Sequence, residues 1–315
     1  MPLFILGSFV LSCSAKVTSW PRPGESLQAQ ALMVEPGGKG FNLAVGSRRL
    51  GAVVNGLLAT GNDLFGQVAQ AALTQADLPQ AMLKRYAQQT GAGIGFTDAQ
   101  GENCLAVYPG ANLELSAADV AACSEQISRA TMTLAQFEIA DAPIIKAFQM
   151  ARACGVSTLL NPSPFRMIDQ RIWENTSILV VNAVEAAQLI ANLETGRASP
   201  PPVTWDDAAE IAGRLLARGP EIVVVTLGAG GALARQREGS TLRQKAFSVD
   251  SVDTLGAGDA FTVGLAVSLG EGRTLEDSLY RACACGALVS RKLGVFAALP
   301  TAEELERFLL NRASF

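Results

Sequence analysis

The stretch Val252-Asp253-Thr254-Leu255-Gly256-Ala257-Gly258-Asp259-Ala260-Phe261 sets two glycines and an acid at the mouth of an apolar helix, Ala260–Leu269. Glycines let a backbone approach a ligand closely, and the first N–H groups of a helix have no internal partners. Such a turn is a ready anion site at the positive end of the helix dipole. Asp259, on the first turn, has two readings. It can cap its own helix, or it can be a base beside the anion site that takes a proton from an alcohol. A second glycine-rich turn, Gly37-Gly38-Lys39-Gly40-Phe41-Asn42-Leu43-Ala44, opens another helix that ends near Gly51. The Gly-x-x-x-x-Gly-Lys-Ser/Thr spacing of a Walker loop is missing, but Lys39 and Asn42 can hydrogen-bond a polar ligand.

Outward from these two turns, short apolar runs alternate with helical patterns. Strands are predicted over Leu3–Val10, Val53–Thr60, Thr131–Phe137, Val156–Leu160, Ile178–Val181 and Ile222–Leu227. Amphipathic helices fall between them, among others at Ala142–Ala153, Ala183–Ala191 and Asp206–Ala217. The strands are apolar throughout, not alternating, so both faces are covered, which implies an α/β fold with a mostly parallel sheet. Thr18–Val34, with Pro21-Arg22-Pro23-Gly24, and Gly93–Tyr108, with the turn Gly101-Glu102-Asn103, break the pattern. They predict extra strands off the main sheet, a small β lid spanning about residues 12–34 and 92–108. Leu193–Val203, with Pro200-Pro201-Pro202, predicts a surface loop. No clean boundary divides the 315 residues, which are read as a single domain over 1–315.

Composition narrows the chemistry. There is no histidine, which excludes Ser/His/Asp and Cys/His nucleophile pairs and His-ligated zinc. Proton transfer must fall to carboxylates, Lys, Tyr or Cys. A net charge of −4 and few aromatics give no footprint for nucleic acid, and no Lys/Arg run suggests a membrane surface. Cysteines 13, 104, 123, 154, 283 and 285 form no CxxC and predict reduced thiols of a cytoplasmic protein. Cys283 and Cys285 lie two apart on a helix, a packing pair that does not face each other. The apolar start Leu3–Leu11 has no basic residue before it and is too short to span a membrane.

Together the two glycine turns resemble the signatures of the ribokinase, or PfkB-type, carbohydrate kinases. Further landmarks follow in that family's order: Thr60-Gly61-Asn62-Asp63, Gly110-Ala111-Asn112, Asn161-Pro162-Ser163-Pro164, Asn182-x-x-Glu185 and Thr226-Leu227-Gly228. The resemblance implies a ribokinase-like three-layer α/β/α sandwich with a small β lid, and ATP-dependent transfer of the γ-phosphoryl to a sugar hydroxyl. Carried over residue by residue, Asp259 is the catalytic base and Gly256, Ala257 and Gly258 form the anion hole. Asn182, Glu185, Thr226, Gly228 and Gly231 border ATP, with Mg²⁺ held through the phosphates near Asn182 and Glu185. Read from the residues alone, Asn182 and Glu185 are a helix cap and a first-turn acid. Gly38, Lys39, Asn42, Glu138 and Ser12 face the sugar, and a homodimer is implied.

Two departures qualify the carry-over. The family opens with Gly-Ser-x-Asn-x-Asp, whose Asn and Asp bind sugar hydroxyls; here Val10 and Ser12 stand in their places. A charged hydrogen bond contributes about 1.5–3 kcal/mol, so its loss weakens ribose binding unless something compensates. The sugar is therefore open: ribose, or a related pentose or hexose. A sugar phosphate, nucleoside or vitamin-like alcohol as substrate, and a non-catalytic sugar or nucleotide sensor on the same fold, remain as alternatives. The second departure concerns K⁺, which the resemblance assigns to carbonyls of Asp253, Leu255, Leu288 and Gly294. Ala298 lacks the hydroxyl expected there, leaving K⁺ dependence open.

Overall fold

A computed structural model describes residues 1–98, 103–194 and 204–313. Its strands are β1 (Pro2–Gly7), β2 (Val10–Lys16), β3 (Ala31–Gly37), β4 (Val53–Gly61), β5 (Leu83–Tyr86), β6 (Gly91–Thr97) and β7 (Asn103–Tyr108). They continue as β8 (Met132–Gln136), β9 (Ser157–Asn161), β10 (Ile178–Asn182), β11 (Ile222–Thr226), β12 (Ala232–Gln236) and β13 (Thr241–Gln244). Nine form the main sheet in the order β13-β12-β11-β10-β9-β8-β1-β4-β5. It is parallel from β11 to β5, and β12 and β13 add an antiparallel edge.

Alternate residues of β1 explain the unbroken apolar run. Leu3 and Ile5 enter one core and Phe4 and Leu6 the other. One core packs the helices Lys39–Arg49, Leu64–Gln75, Ala257–Gly270 and Leu275–Ser290 against one face of the sheet. The other packs Asp141–Ala153, Ala183–Glu194 and Trp205–Leu216 against the opposite face. This is the three-layer α/β/α architecture with a mostly parallel sheet. Helix Ala257–Gly270 is buried all round from Asp259 to Ser268, which explains its uniformly apolar sequence.

The predicted strand Leu3–Val10 is two strands in two sheets. β1 stops at Gly7, and Val10 begins β2 of the second sheet. The break is held by a distant side chain: Asn112 accepts from Phe9 N (3.0 Å) and donates from Nδ2 to Phe9 O (2.8 Å). The second sheet, ordered β3-β2-β6-β7, is the lid. It is mixed, because β2 pairs antiparallel with β3 but parallel with β6. Thr18–Val34 is not strand throughout. Pairing begins only at Ala31, and the Pro-rich part is a loop pinned at its ends by Val17 N to Thr97 O (2.9 Å) and Gln30 N to Lys16 O (2.7 Å). The Gly101-Glu102 turn and the loop at 195–203 lie outside the described residues. Among the described residues no helix is long and apolar enough to cross a membrane.

The mouth of helix Lys39–Arg49 rests directly on the end of β1. A Cβ on Gly40 would lie 2.3 Å from Ser8 N and 2.6 Å from Gly7 Cα. Both are backbone atoms of a buried strand end, so relaxation must move the sheet or the helix. Gly40→Ala is expected to cost about 3 kcal/mol of unfolding free energy, measured by urea denaturation.

Candidate active site

Two helix mouths meet beside the carboxyl ends of the parallel strands, where open α/β sheets bind ligands. Gly256, with φ 77°, caps helix Ala257–Gly270 in a left-handed conformation that glycine adopts without strain. Asp259 follows on the first turn and is buried to 5% exposure. It does not cap its own helix. Its Oδ2 accepts from Asn42 Nδ2 (2.8 Å) and its Oδ1 from Lys39 Nζ (3.3 Å), both on the opposing helix Lys39–Arg49. Asn42 Oδ1 is buried and has no partner among the described residues, so it is an acceptor left for a ligand hydroxyl.

Glu138, just beyond β8, fixes the second glycine turn. Its Oε2 accepts from Ser8 Oγ and from Lys39 N (2.8 Å), and Ser8 Oγ in turn accepts from Gly40 N (3.3 Å). Gly38, at φ 97°, precedes Lys39. Burial pulls the Lys39 ammonium down, but the charges of Asp259, Glu138 and Glu185 and the hydrogen bond to Asp259 hold it above its ordinary 10.5. Lys39 therefore remains a cation throughout the neutral range.

The nucleotide side of the predicted site is a cavity of about 560 Å³. Thr226, Gly228 and Gly231 after β11 form one wall, and Ala257 and Gly258 another. Of the three anion-hole amides expected, that of Ala257 is taken up by Thr254 O (3.2 Å). Those of Gly256 and Gly258 meet no acceptor among the described residues and remain for an anion. Phe247, Val249 and Cys283 line the apolar part and carry no motif by which sequence could have found them. Cys283 and its neighbour Cys285 are unreactive, because burial pushes both thiols up to about 12.

Asn182 and Glu185 form a reciprocal cap: Asn182 N donates to Glu185 Oε2 (2.9 Å) and Glu185 N to Asn182 Oδ1 (2.8 Å). The cap reading of their spacing is thus realised. Glu185, at 6% exposure, still lies close enough to influence Lys39. Ser12 lies on β2 of the lid, directly across from Glu35 of β3, and a Cβ on Gly37 would sit 3.9 Å from its Cβ. Asp253 ties two of the segments expected to hold K⁺, accepting from Leu255 N (2.9 Å) and Gly294 N (3.3 Å). The Leu288 carbonyl accepts from Arg291 N (3.4 Å) in the closing turn of its helix and keeps a second lone pair.

A buried carboxylate within reach of a ligand hydroxyl, beside helix-terminal amides that open into a nucleotide-sized cavity, is the equipment of phosphoryl transfer to an alcohol. Comparison with known proteins agrees. Residues 3–302 match the pfkB family carbohydrate kinase model. The chain is 32% identical to ribokinase of Mus musculus, covering 96% of this chain and 92% of the relative, and 27% identical to deoxyribokinase of Salmonella typhi, covering 98% and 99%. Among solved structures, Thermotoga maritima ribokinase superposes with a TM-score of 0.86 at 28% identity over 98% of this chain and 99% of that one. Arabidopsis thaliana ribokinase complexed with ribose and ATP shares the fold, with a TM-score of 0.88 at 24% identity over 98% of both chains. The chain belongs to the pfkB family of carbohydrate kinases and is an ATP-dependent sugar kinase.

The Lys39 shift has a definite pH signature. A lysine whose folded-state value is raised contributes stability that is complete below its ordinary value and is lost as pH climbs through the folded one. The stability difference between wild type and Lys39→Met is therefore expected to be flat across neutral pH and to shrink only above 10.5, as measured by denaturant unfolding at a series of pH values.

Proposed function

We propose that this kinase phosphorylates a free pentose, ribose or a deoxy relative, with Asp259 as general base. The observation that carries the reading is that Asp259, buried at a helix mouth, is held by side chains of a second helix and does not cap its own. In this reading the sugar hydroxyl gives its proton to Asp259, and its oxygen attacks the γ-phosphorus. The bond to the β–γ bridging oxygen breaks, and ADP leaves. The Gly256 and Gly258 amides meet the charge on the transferring group, while Lys39, Asn42, Glu138 and Gly38 orient the sugar.

Among the described residues no cluster of three His, Cys, Asp or Glu could hold a metal alone. In this reading Mg²⁺ is held mostly by phosphate and water near Asn182 and Glu185, whose carboxylate is a hard oxygen donor suited to it. Bound there, Mg²⁺ would neutralise phosphate charge. A K⁺ ion would be held by the carbonyls of Asp253, Leu255, Leu288 and Gly294. Its requirement is read by replacing K⁺ with Na⁺ in the assay.

The pentose assignment is supported by relatives named ribokinase and deoxyribokinase, and Val10, which offers no hydrogen bond to a sugar hydroxyl, favours the deoxy sugar within it. A site without a partner for a hydroxyl discriminates poorly for it. The reading also takes the protein to be cytoplasmic, in keeping with exposed free thiols at Cys104 and Cys154. ADP release is expected with Mg·ATP and ribose or deoxyribose in a panel of pentoses, hexoses, sugar phosphates and nucleosides. Asp259→Asn should lower kcat by about 10²–10⁴ while leaving ligand binding largely intact. No turnover on any sugar from folded, ATP-binding protein would overturn the reading in favour of a sensor.

A homodimer formed lid to lid belongs to the same reading. Leu32, Val34 and Ile94 lie on one face of the lid, paired through Ala15 and Cys13, and are 70%, 52% and 58% exposed. An apolar sheet face of this kind needs a cover. Light scattering is expected to give a dimer for wild type and a monomer for Ile94→Asp.

A further inference from the structure

Glu35 is the one acidic side chain on the four lid strands, and no expectation from sequence included it. It stands opposite Ser12, so the two side chains share a face of the lid. That face is turned to the body. Val295 N donates to both Glu35 oxygens, at 3.2 and 3.4 Å, and a Cβ on Gly294 would lie 3.0 Å from Oε2. No lysine or arginine pairs with Glu35 among the described residues. Burial pushes its carboxyl above the ordinary 4.5, the Val295 and Phe296 amides pull it back, and the Asp253 charge pushes it up again. Main-chain donation from Val295, and no side-chain cation among the described residues, thus fixes this part-buried carboxylate.

The segment that Glu35 holds reaches both helix mouths. Val295 is buried against Gly256, where a Cβ would lie only 2.5 Å from Val295 Cγ1. Phe296 stacks on Phe41, next to Asn42, with ring centroids 5.6 Å apart and planes 18° apart. One short turn therefore touches the lid through a main-chain amide and both halves of the site through its side chains.

We propose that Glu35 is a positioning residue that ties the lid to the 294–296 turn and thereby keeps Val295 seated against Gly256 and the anion-binding amides in place. The catalytic part of this inference rests on Gly256–Asp259 being the phosphoryl-transfer site. The mechanical part does not. A carboxylate on a lid strand thus bears on the anion hole through one amide and one side chain.

The test compares wild type, Glu35→Ala and Glu35→Gln by amide hydrogen exchange of the Val295 segment and by steady-state kinetics with ATP and the sugar. Gln keeps an acceptor oxygen in the same place but removes the charge. Glu35→Ala is expected to speed Val295 exchange and lower kcat, each by about tenfold, with the sugar KM moving by less than about threefold. Glu35→Gln is expected to restore both to within about threefold of wild type. Unchanged Val295 exchange in Glu35→Ala would overturn the proposal. So would a Glu35→Gln variant with a raised sugar KM and intact Val295 protection, because the charge would then be binding substrate directly. Wild type without turnover would sink the phosphoryl-transfer reading alone, and the exchange data would still decide whether Glu35 holds the turn.

Discussion

The site depends on how closely two helix mouths can approach across the end of β1. Lys39 and Asn42 ride on one helix and Asp259 on the other, and their hydrogen bonds at 3.3 and 2.8 Å exist only at that separation. Gly40 makes the approach possible at one end by lying against the backbone of Gly7 and Ser8. Gly46 does so farther along, where a Cβ would sit 3.1 Å from Val263 of the facing helix. Side chains at these points would wedge the helices apart and leave Asp259 buried with no donor, a costly state for a carboxylate. Packing and chemistry are here one constraint.

Charge then decides what the cleft can hold. Lys39 is surrounded by Asp259, Glu138 and Glu185, three carboxylates against one ammonium. A polyanion entering such a place meets net repulsion from side chains. Its attraction must come from the free helix-terminal amides and from cations that accompany it. That is the balance a metal-bound triphosphate satisfies and a bare phosphate does not. The chain has no histidine, and Asp259 is the buried carboxylate on the first turn of the helix that Gly256 caps.

The main sheet was legible because each parallel strand is apolar on both faces, a pattern set by local sequence alone. The break at Ser8-Phe9 was not, because it depends on Asn112, 103 residues away. The resemblance assigned Asn182 and Glu185 to the nucleotide, whereas their local spacing described the cap they form. Glu35 escaped notice for the same reason as the break. Nothing in Val34-Glu35-Pro36 marks it locally, and its partner Val295 lies 260 residues away. Local motifs reveal turns and caps, and contacts between distant segments reveal which of them act together.

Several local rules are broken in this molecule, and the breaks cluster. Among the described residues Asn42 Oδ1 is a buried acceptor without a donor and Glu35 a part-buried acid without a counter-charge, and Gly256 takes a left-handed turn at a helix mouth. The first two are unfavourable in isolation, and a sequence shaped by stability alone would remove each with a single substitution. Asn42 stands beside Asp259, and Gly256 opens the helix that carries it. Glu35 reaches the same loops through Val295, which packs on Gly256. Asn42 and Gly256 belong to the two glycine turns, and Glu35, outside both, leads to the same cleft. The lid, through Glu35, therefore belongs to the site as much as the two helix mouths do.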